Sequence, residues 1–321
     1  MQVWRGIDMV PDSLNASVAT IGNFDGVHLG HRAVLGVTIA AARAIEAAAV
    51  GVTFEPHPAA VHRPESAPEL LVGPQDRLEL LAETGLDAVL MIDYNLAFAA
   101  QSPAQFARRY LVQALQVRRV VVGADIRFGH NNSGDRATLT DLGQQLGFDV
   151  DVVHDIEAAG TGRRWSSTWV RELLAAGDVE QAAAVLGRPH RMRGIVVHGQ
   201  ARGRDLGFPT ANLAPTSTGT IPSDGVYAGW LVRGWGTSEQ QRLPAAISVG
   251  TNPTFDGQVR QVEAHVLGRT DLDLYEEEVV VEFTHHLRPT LKFDGIDDLV
   301  AQMHTDVAHA ARLLGTASGA V

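Results

Sequence analysis

Two histidines, His28 and His31, stand three residues apart in the segment of this chain with the most chemical information. That segment, Gly22–His31, reads GNFDGVHLGH. A strand-like run precedes it, and an alanine-rich helical pattern follows it from about Arg32 to Ala48. A glycine-rich turn between a strand and a helix leaves backbone N–H groups available and directs the helix N-terminus at an anion. The segment therefore predicts a phosphate site that both imidazoles face.

Two later segments fit the same site. Gly123–Gly129 reads GADIRFG and leaves the fourth predicted strand, and Ser166–Arg171 reads SSTWVR, which resembles a helix N-cap with a basic residue one turn later. Hydroxyl and free N–H groups at a helix start bind phosphate oxygens, and Arg171 would neutralise a triphosphate. Together the three segments predict one nucleotide site.

A second chemical centre lies in the run His198–Asn212, which reads HGQARGRDLGFPTAN. Three glycines give it a backbone that can wrap a polyphosphate. Thr210 and Asn212 alternate on one strand face, so that two oxygen ligands can reach one cation, as Mg²⁺ prefers. Further along, Glu263 alternates with apolar neighbours, a pattern that by itself is typical of a solvent-facing strand residue.

The first half alternates short apolar strands with helices, which predicts a parallel sheet covered by helices and ligands at the C-terminal strand ends. The predicted strands are Ser17–Ile21, Ala49–Phe54, Ala88–Ile92, Arg119–Gly123 and Phe148–Val153, and the further helices are Pro74–Glu83, Pro103–Leu115 and Ala137–Leu146.

Past Gly187 short strands follow one another without helices between them, which predicts an antiparallel barrel. These strands are Arg191–His198, Val226–Val232, Leu243–Val249, Val259–Leu267 and Glu278–Phe283, and an amphipathic helix, Gly295–Leu314, closes the chain. The acidic stretch Asp271–Glu278 is expected to be a solvated loop. We therefore expect an α/β protein of two domains, 1–186 and 187–321.

Composition limits the class of protein. The 321 residues carry a net charge of −11 and no cysteine, so a nucleic-acid partner, disulfides and thiolate metal sites are not expected. The sequence has no long apolar run and no export signal, which predicts a cytoplasmic protein without membrane contact. Lys292 is the only lysine. Phosphate binding must therefore depend on arginine, histidine and backbone N–H groups.

The His-x-Gly-His turn resembles the signature of the nucleotidylyltransferase superfamily. The three segments of the predicted nucleotide site together resemble the bacterial bifunctional riboflavin kinase/FAD synthetase family. Thr53–Pro58 (TFEPHP), the Pro209–Asn212 element (PTAN), Gly250–Phe255 (GTNPTF) and Val262–His265 (VEAH) match the same family. The resemblance covers about Ser17 to Leu314. Ile126, where the family usually has phenylalanine, and the bulky Trp169 depart from it.

The resemblance implies a Rossmann-like FMN adenylyltransferase domain and a riboflavin kinase barrel, with ATP and Mg²⁺, and with riboflavin, FMN and FAD as substrates or products. For adenylyl transfer it implies the catalytic residues His28, His31 and Arg171 and the ATP-binding residues Gly22, Asn23, Phe24, Asp25, Gly30, Asp125, Arg164, Ser167 and Thr168. For the kinase it implies Gly199, Arg202, Gly203, Gly207 and Pro209 on the phosphates, Thr210 and Asn212 on the metal, and Glu263 as general base.

The two chemistries differ in their need for a base. A phosphate acceptor is already an anionic nucleophile, whereas the ribityl hydroxyl of riboflavin must lose a proton.

Two alternative roles for residues of the first site remain open. The histidines could be metal ligands, with His57 as a third zinc ligand, and Asp25 could be only the cap of its turn.

Other functions remain open as well: a transferase that acts on phosphopantetheine or nicotinamide mononucleotide, an aminoacyl-tRNA synthetase-like protein, or a flavin sensor or storage protein with inactive sites. The expected partners are small molecules, and the chain is expected to be a monomer or weak homo-oligomer.

Overall fold

The computed structural model describes residues 1–154, 157–158, 162–199, 206–254 and 257–316. These residues divide into two compact units: Met1–Glu69 with Pro74–Ser166, and Leu70–Gly73 with Ser167–Val321. Each unit has its own sheet, and each carries one of the two predicted sites or most of it.

The first unit is built on a six-stranded sheet of order β1-β4-β3-β2-β5-β6, in which every neighbouring pair is parallel. Valine, leucine and isoleucine fill its central strands, as expected for strands buried on both faces. The predicted parallel sheet is confirmed. Its strands are β1 Gln2–Arg5, β2 Ser17–Ile21, β3 Ala48–Glu55, β4 Ala88–Asp93, β5 Val117–Gly123 and β6 Asp149–Val153, and a short pair, β7 Glu157–Ala158 and β8 Arg163–Arg164, follows.

The helices of the first unit differ from the predictions at several places, and the short helices Pro58–His62 and Leu96–Ala99 were not predicted. The first helix runs from Leu29 to Ala44 rather than to Ala48, because Glu46 adopts a left-handed conformation (φ 53°) that ends it before β3. The predicted helix from Pro103 becomes a π-helix over Ala107–Ala114. The α-helices are α1 Leu29–Ala44, α2 Pro58–His62, α3 Pro74–Ala82, α4 Leu96–Ala99, α5 Pro103–Phe106 and α6 Arg136–Leu146.

The second unit is a closed barrel of order β10-β13-β12-β11-β14-β9, antiparallel throughout. The predicted antiparallel barrel and terminal helix are confirmed. Its elements are α7 Ser167–Ala176, α8 Val179–Leu186, β9 His190–Val197, β10 Ala211–Leu213, β11 Gly225–Arg233, β12 Gln241–Thr254, β13 Gly257–Val266, β14 Glu278–Pro289 and α9 Ile296–Leu313.

The second unit begins earlier in the sequence than residue 187. Both α7 and α8 lie in it, and so does the short segment Leu70–Gly73, whose Leu70 carbonyl accepts a hydrogen bond from the Thr220 hydroxyl at 3.0 Å. The functional boundary near residue 187 stays a prediction. Within the described part of the chain, no helix is both long and apolar enough to cross a membrane.

Candidate active sites

The Gly22–His31 turn follows β2 directly and has an unusual backbone. Phe24, Gly26 and Val27 all have positive φ, at 50°, 80° and 40°. Gly22 has no space for a side chain, because a Cβ there would lie 2.9 Å from the ring of Phe24. The Phe24 ring is itself buried. Close packing therefore requires glycine at this position, and the turn has a backbone conformation that is fixed by packing.

His28 and His31 meet at the start of α1. His28 is the N-cap, and its Nδ1 accepts the backbone N–H of His31 at 3.3 Å. The two imidazole rings stack with their centroids 3.7 Å apart. Since Nδ1 of His28 accepts, a neutral His28 carries its proton on Nε2, where it can donate to a ligand. The structure thus brings the two predicted catalytic histidines together.

His31 is held in the neutral form. Burial, with a smaller contribution from His28, lowers its pKa well below the ordinary 6.5. Its Nδ1 is buried and meets no hydrogen-bond partner among the described residues. A buried polar atom without a partner needs an explanation, and a ligand that completes the site is one.

A buried arginine fixes the backbone of this turn. Arg77, on α3, is 2% exposed and donates to the carbonyl oxygen of Asn23 at 3.4 Å and to that of Phe54 at 3.2 Å. It also pairs with the carboxylate of Glu55. The Thr53 hydroxyl donates to the same Asn23 carbonyl at 3.2 Å. These contacts join the ends of β2 and β3, where the site lies.

Beside Asn23 lies a cavity of about 290 Å³ with aromatic walls. Its rings touch one another: the centroid of Phe54 is 5.6 Å from that of Tyr94 and 5.8 Å from that of Phe98. Sequence reasoning singled out the Thr53–Pro58 segment, which contains Phe54, but it missed Tyr94 and Phe98, because these come from a different segment and meet Phe54 only through tertiary packing. The cavity is lined by Ile21, Asn23, Phe54, Pro58, Tyr94, Phe98, Ala99, Gln101, Phe106, Arg127, Phe128, Gly129 and Asn132.

The Gly123–Gly129 loop contributes Arg127 and Phe128 to that cavity. Asp125 and Arg164, both predicted to bind phosphate, form an ion pair of 3.0 Å with each other. Ile126, which departs from the family pattern, packs on the hydrophobic core of the sheet. The departure therefore concerns packing beneath the loop.

Ser167, Thr168 and Arg171 lie in the first turns of α7, in the second unit. The bulky Trp169 of this motif is buried, as are Val170 and Leu174, so this indole belongs to the packed side of the helix. The phosphate-binding role of the three polar residues stays a prediction.

His57 serves as the N-cap of α2, where its Nδ1 accepts the N–H of Ala59 at 3.1 Å. Across the described residues, no group of three or more histidines and carboxylates is arranged to hold a metal ion. The zinc interpretation of the histidines thus has no ligand set in the part of the chain that the structure describes.

In the second unit, Thr210, Asn212 and Glu263 form one cluster. Asn212 on β10 pairs with Glu263 on β13, and the Thr210 hydroxyl donates to Oε2 of Glu263 at 3.3 Å. The Asn212 amide donates to Oγ1 and to the carbonyl of Thr210 at 3.2 and 3.3 Å. Asn212 is only 6% exposed. Thr210, which directly precedes β10, and Asn212 on β10 therefore both lie beside the proposed base.

Glu263 has the electrostatics of a proton acceptor. Burial raises the pKa of its carboxyl above 4.5, and the hydrogen bond from Thr210 opposes that shift. A raised pKa brings a carboxylate closer to the optimum for general base catalysis at neutral pH. The solvent-facing interpretation of Glu263 does not explain this half-buried position.

Gly199, in the glycine-containing run His198–Asn212, lies against Asn212 of this cluster. A Cβ at this position would lie 2.5 Å from Oδ1 of Asn212, so only glycine allows this approach. Gly207 has a φ of +86° and also requires glycine. Pro209 precedes Thr210 directly. Arg202 and Gly203 fall outside the described residues.

A small cavity of about 40 Å³ lies beside Thr210, lined in part by Pro209, Arg269 and Tyr275. The ring of Tyr275 stacks on His198 with centroids 3.8 Å apart. The stretch 271–278 is thus only partly the solvated loop that was predicted: its aspartates are exposed, but Leu274 is buried.

Comparisons with known proteins agree with both halves. A model of the FAD synthetase family matches residues 10–168, and a riboflavin kinase model matches residues 186–314. A bifunctional riboflavin kinase/FMN adenylyltransferase of Escherichia coli K12 is 36% identical over 316 residues, 98% of each chain. That of Bacillus subtilis 168 is 31% identical over 307 residues, covering 95% of this chain and 94% of its own.

A crystal structure from Streptococcus pneumoniae, described as a macrolide-efflux protein, matches with a TM-score of 0.84 and 30% identity over 96% of this chain and 97% of its own. The two family models lie on the two halves that carry the clusters described above. On these matches the chain belongs to the family of bifunctional riboflavin kinase/FMN adenylyltransferases.

Proposed function

We propose that this bifunctional enzyme carries out its two reactions on two separate sets of residues. Riboflavin kinase activity transfers a phosphoryl group from ATP to riboflavin and gives FMN, and FMN adenylyltransferase activity joins FMN to AMP and gives FAD. The observation that carries the division is the half-buried carboxylate of Glu263 with its raised pKa, which supplies a base for the one step that needs it.

Adenylyl transfer is assigned to the Gly22–His31 turn. A phosphate oxygen of FMN attacks the α-phosphorus of ATP, the bond to the bridging oxygen breaks, and pyrophosphate leaves. No proton has to be removed, so catalysis depends on alignment and on donors to the phosphate oxygens. His28 and His31 supply imidazole N–H donors at the start of α1, and the helix N-terminus adds its own. Ser167, Thr168 and Arg171 remain predicted phosphate ligands.

The aromatic cavity beside Asn23 suits the flavin ring of FMN. It is walled by Phe54, Tyr94 and Phe98 and lies next to the turn that would hold the phosphates. Flat aromatic ligands stack well on such rings. Its position at the C-terminal ends of parallel strands is where ligands bind in sheets of this type.

Phosphoryl transfer to riboflavin is assigned to the Thr210, Asn212 and Glu263 cluster. The carboxylate of Glu263 takes the proton of the ribityl 5′-hydroxyl as its oxygen forms a bond to the γ-phosphorus of ATP, and ADP leaves with the electron pair of the broken bond. The hydroxyl of Thr210 orients the carboxylate before substrate arrives.

The oxygen donors of this cluster fit Mg²⁺. The Thr210 hydroxyl, just before β10, and the Asn212 carboxamide on β10 are hard oxygen ligands near the Glu263 carboxylate. When bound, the metal would neutralise charge on the phosphates of ATP. Gly199 lets the main chain lie close to the Asn212 side chain.

We also propose that the enzyme acts in the cytoplasm, where ATP is supplied, on small molecules alone. Its net charge of −11 disfavours nucleic acid. We expect a monomer or weak homo-oligomer, which light scattering on the purified protein would test.

The proposal is tested by giving purified protein riboflavin, ATP and Mg²⁺ and separating riboflavin, FMN and FAD over time. FMN should appear first and FAD later. Bound flavin without ATP-dependent turnover would instead identify a storage or sensor protein. Glu263→Gln and His31→Ala then assign each step to its residues.

A further inference from the structure

The imidazole of His265 has a geometry that the reaction, as assigned so far, does not use. It lies on β13 two residues after Glu263 and therefore on the same face of that strand. Its Nδ1 is 2.9 Å from the carbonyl oxygen of Pro209. A carbonyl can only accept, so Nδ1 carries the proton and donates it.

The main chain of Pro209 can be fixed by a hydrogen bond at only one group. Proline has no backbone N–H, so its carbonyl oxygen is the one main-chain group through which it can be hydrogen-bonded. The next residue is Thr210, whose hydroxyl reaches Glu263. Glu263 and His265 thus bind two consecutive residues, one through a side chain and one through the backbone.

The imidazole is itself held in place. The ring of Phe208 lies edge-on to it, with centroids 5.3 Å apart, and the centroid of the His304 ring on α9 lies 5.0 Å from that of Phe208. Phe208 is buried. Burial lowers the pKa of His265, although the hydrogen bond to Pro209 opposes this, so the side chain is neutral at working pH and keeps one fixed donor.

We propose that His265 is a positioning residue for the kinase step: by donating from Nδ1 to the Pro209 carbonyl, it holds the Thr210 hydroxyl in line with the carboxylate of Glu263. This rests on the proposed roles of Thr210 and Glu263. His265 acts through its neighbours and touches neither the hydroxyl that reacts nor the phosphorus. A misplacement of about 1 Å at such a site can cost about a hundredfold in rate.

The test uses a nearly isosteric pair in the full-length enzyme. In His265→Asn the amide nitrogen replaces Nδ1 as donor, whereas His265→Leu has a similar shape without a donor. We expect His265→Leu to lower the kcat of riboflavin phosphorylation about ten- to hundredfold with little change in the KM for riboflavin. His265→Asn should recover most of that loss. FAD formation from supplied FMN should be unchanged in both, and thermal unfolding of each variant checks that the barrel is folded.

Equal rates in the two variants, whether both normal or both reduced, would overturn the proposal, because the donor would then not matter. If His265→Leu does not fold, His265→Gln replaces it, since its amide lies where Nε2 lies in histidine and cannot reach Pro209. A His265→Gln variant as active as His265→Asn would equally overturn it. Glu263→Gln, measured alongside, separates the role of His265 from the role of Glu263. Normal phosphorylation by Glu263→Gln would show that Glu263 is not the base.

Discussion

The turn at His28 and His31 and the cluster at Glu263 are both proposed to bind ATP, yet burial shifts the pKa values of their side chains in opposite directions. In the turn it lowers the pKa of an imidazole and leaves a neutral donor. In the cluster it raises the pKa of a carboxyl and leaves a stronger base. Desolvation disfavours the charged form in both cases. The difference follows the nucleophile: FMN brings an anion that needs donors, and riboflavin brings an alcohol that needs a base.

The two regions share a way of holding their backbone. Arg77 donates to the Asn23 carbonyl beneath the turn, and His265 donates to the Pro209 carbonyl beside the cluster. In each case a side chain from a distant part of the sequence fixes a carbonyl next to the site. Groups that we propose to act on phosphates are thus positioned by side chains that have no proposed role in binding phosphate.

The largest effect is expected from Glu263→Gln, which removes the base and keeps the shape of the side chain. Phosphorylation of riboflavin should slow by about a hundredfold to ten-thousandfold, the usual range for a positioned base. The measurement is the initial rate of FMN formation. Glu282→Gln, a change of another carboxylate of the same unit on the strand β14, is the matched control and should leave the rate unchanged.

The next effect is expected from His31→Ala. Loss of one well-placed donor to the transition state costs about 3 kcal/mol, or about a hundredfold in rate. Riboflavin should still become FMN, which then accumulates with little FAD. His154→Ala, an exposed histidine in the same unit, is the control. Near-normal FAD formation by His31→Ala would show that the turn is not the adenylyl site.

A smaller effect is expected from Thr210→Val, which keeps the shape and removes one oxygen ligand. The kinase should need more Mg²⁺ to reach half its maximal rate, and the maximal rate should fall. Asn212→Asp keeps an oxygen but adds charge beside the phosphates, so it should alter the metal dependence as well. Unchanged magnesium titrations in both variants would mean that these residues are structural.

The smallest effect concerns stability. Burial lowers the pKa of His190 to about 4, from 6.5, while its Nε2 donates to the Thr220 carbonyl at 2.7 Å. Below pH 6.5 the His190 imidazole is therefore protonated in the unfolded chain but stays neutral in the folded protein. As the pH falls towards 4, the free energy of unfolding decreases by up to about 3 kcal/mol. His190→Gln, which does not titrate, should unfold in urea with a shallower pH dependence. Equal slopes would contradict the assignment.

Much of this architecture could be predicted from local patterns. Alternation of strands and helices predicts the parallel sheet, and the glycine turn before α1 predicts the meeting of His28 with His31. The strand β1 was missed because Gln2–Arg5 is short and pairs with β4, which lies far along the sequence. The prediction that the first helix extends to Ala48 was wrong, because an alanine-rich pattern does not show that Glu46 adopts a left-handed backbone conformation.

The supporting residues could not be predicted for a related reason. Arg77 lies in an ordinary amphipathic helix, and nothing in its spacing shows that its guanidinium is buried under Asn23. The aromatic cavity is assembled from Phe54, Tyr94 and Phe98, whose contact depends on tertiary packing. Sequence patterns report on local conformation, whereas these residues act through contacts between distant segments.

The separation of the two sites is tested most directly by FAD production from supplied FMN in the Glu263→Gln variant. We expect a rate close to that of the unmodified enzyme, because adenylyl transfer uses an anionic nucleophile and is assigned to the Gly22–His31 turn. FMN formation from riboflavin in the same preparation should be strongly reduced. Collapse of both activities in a protein that remains folded would contradict the account and would require a shared site or an obligatory coupling of the two steps.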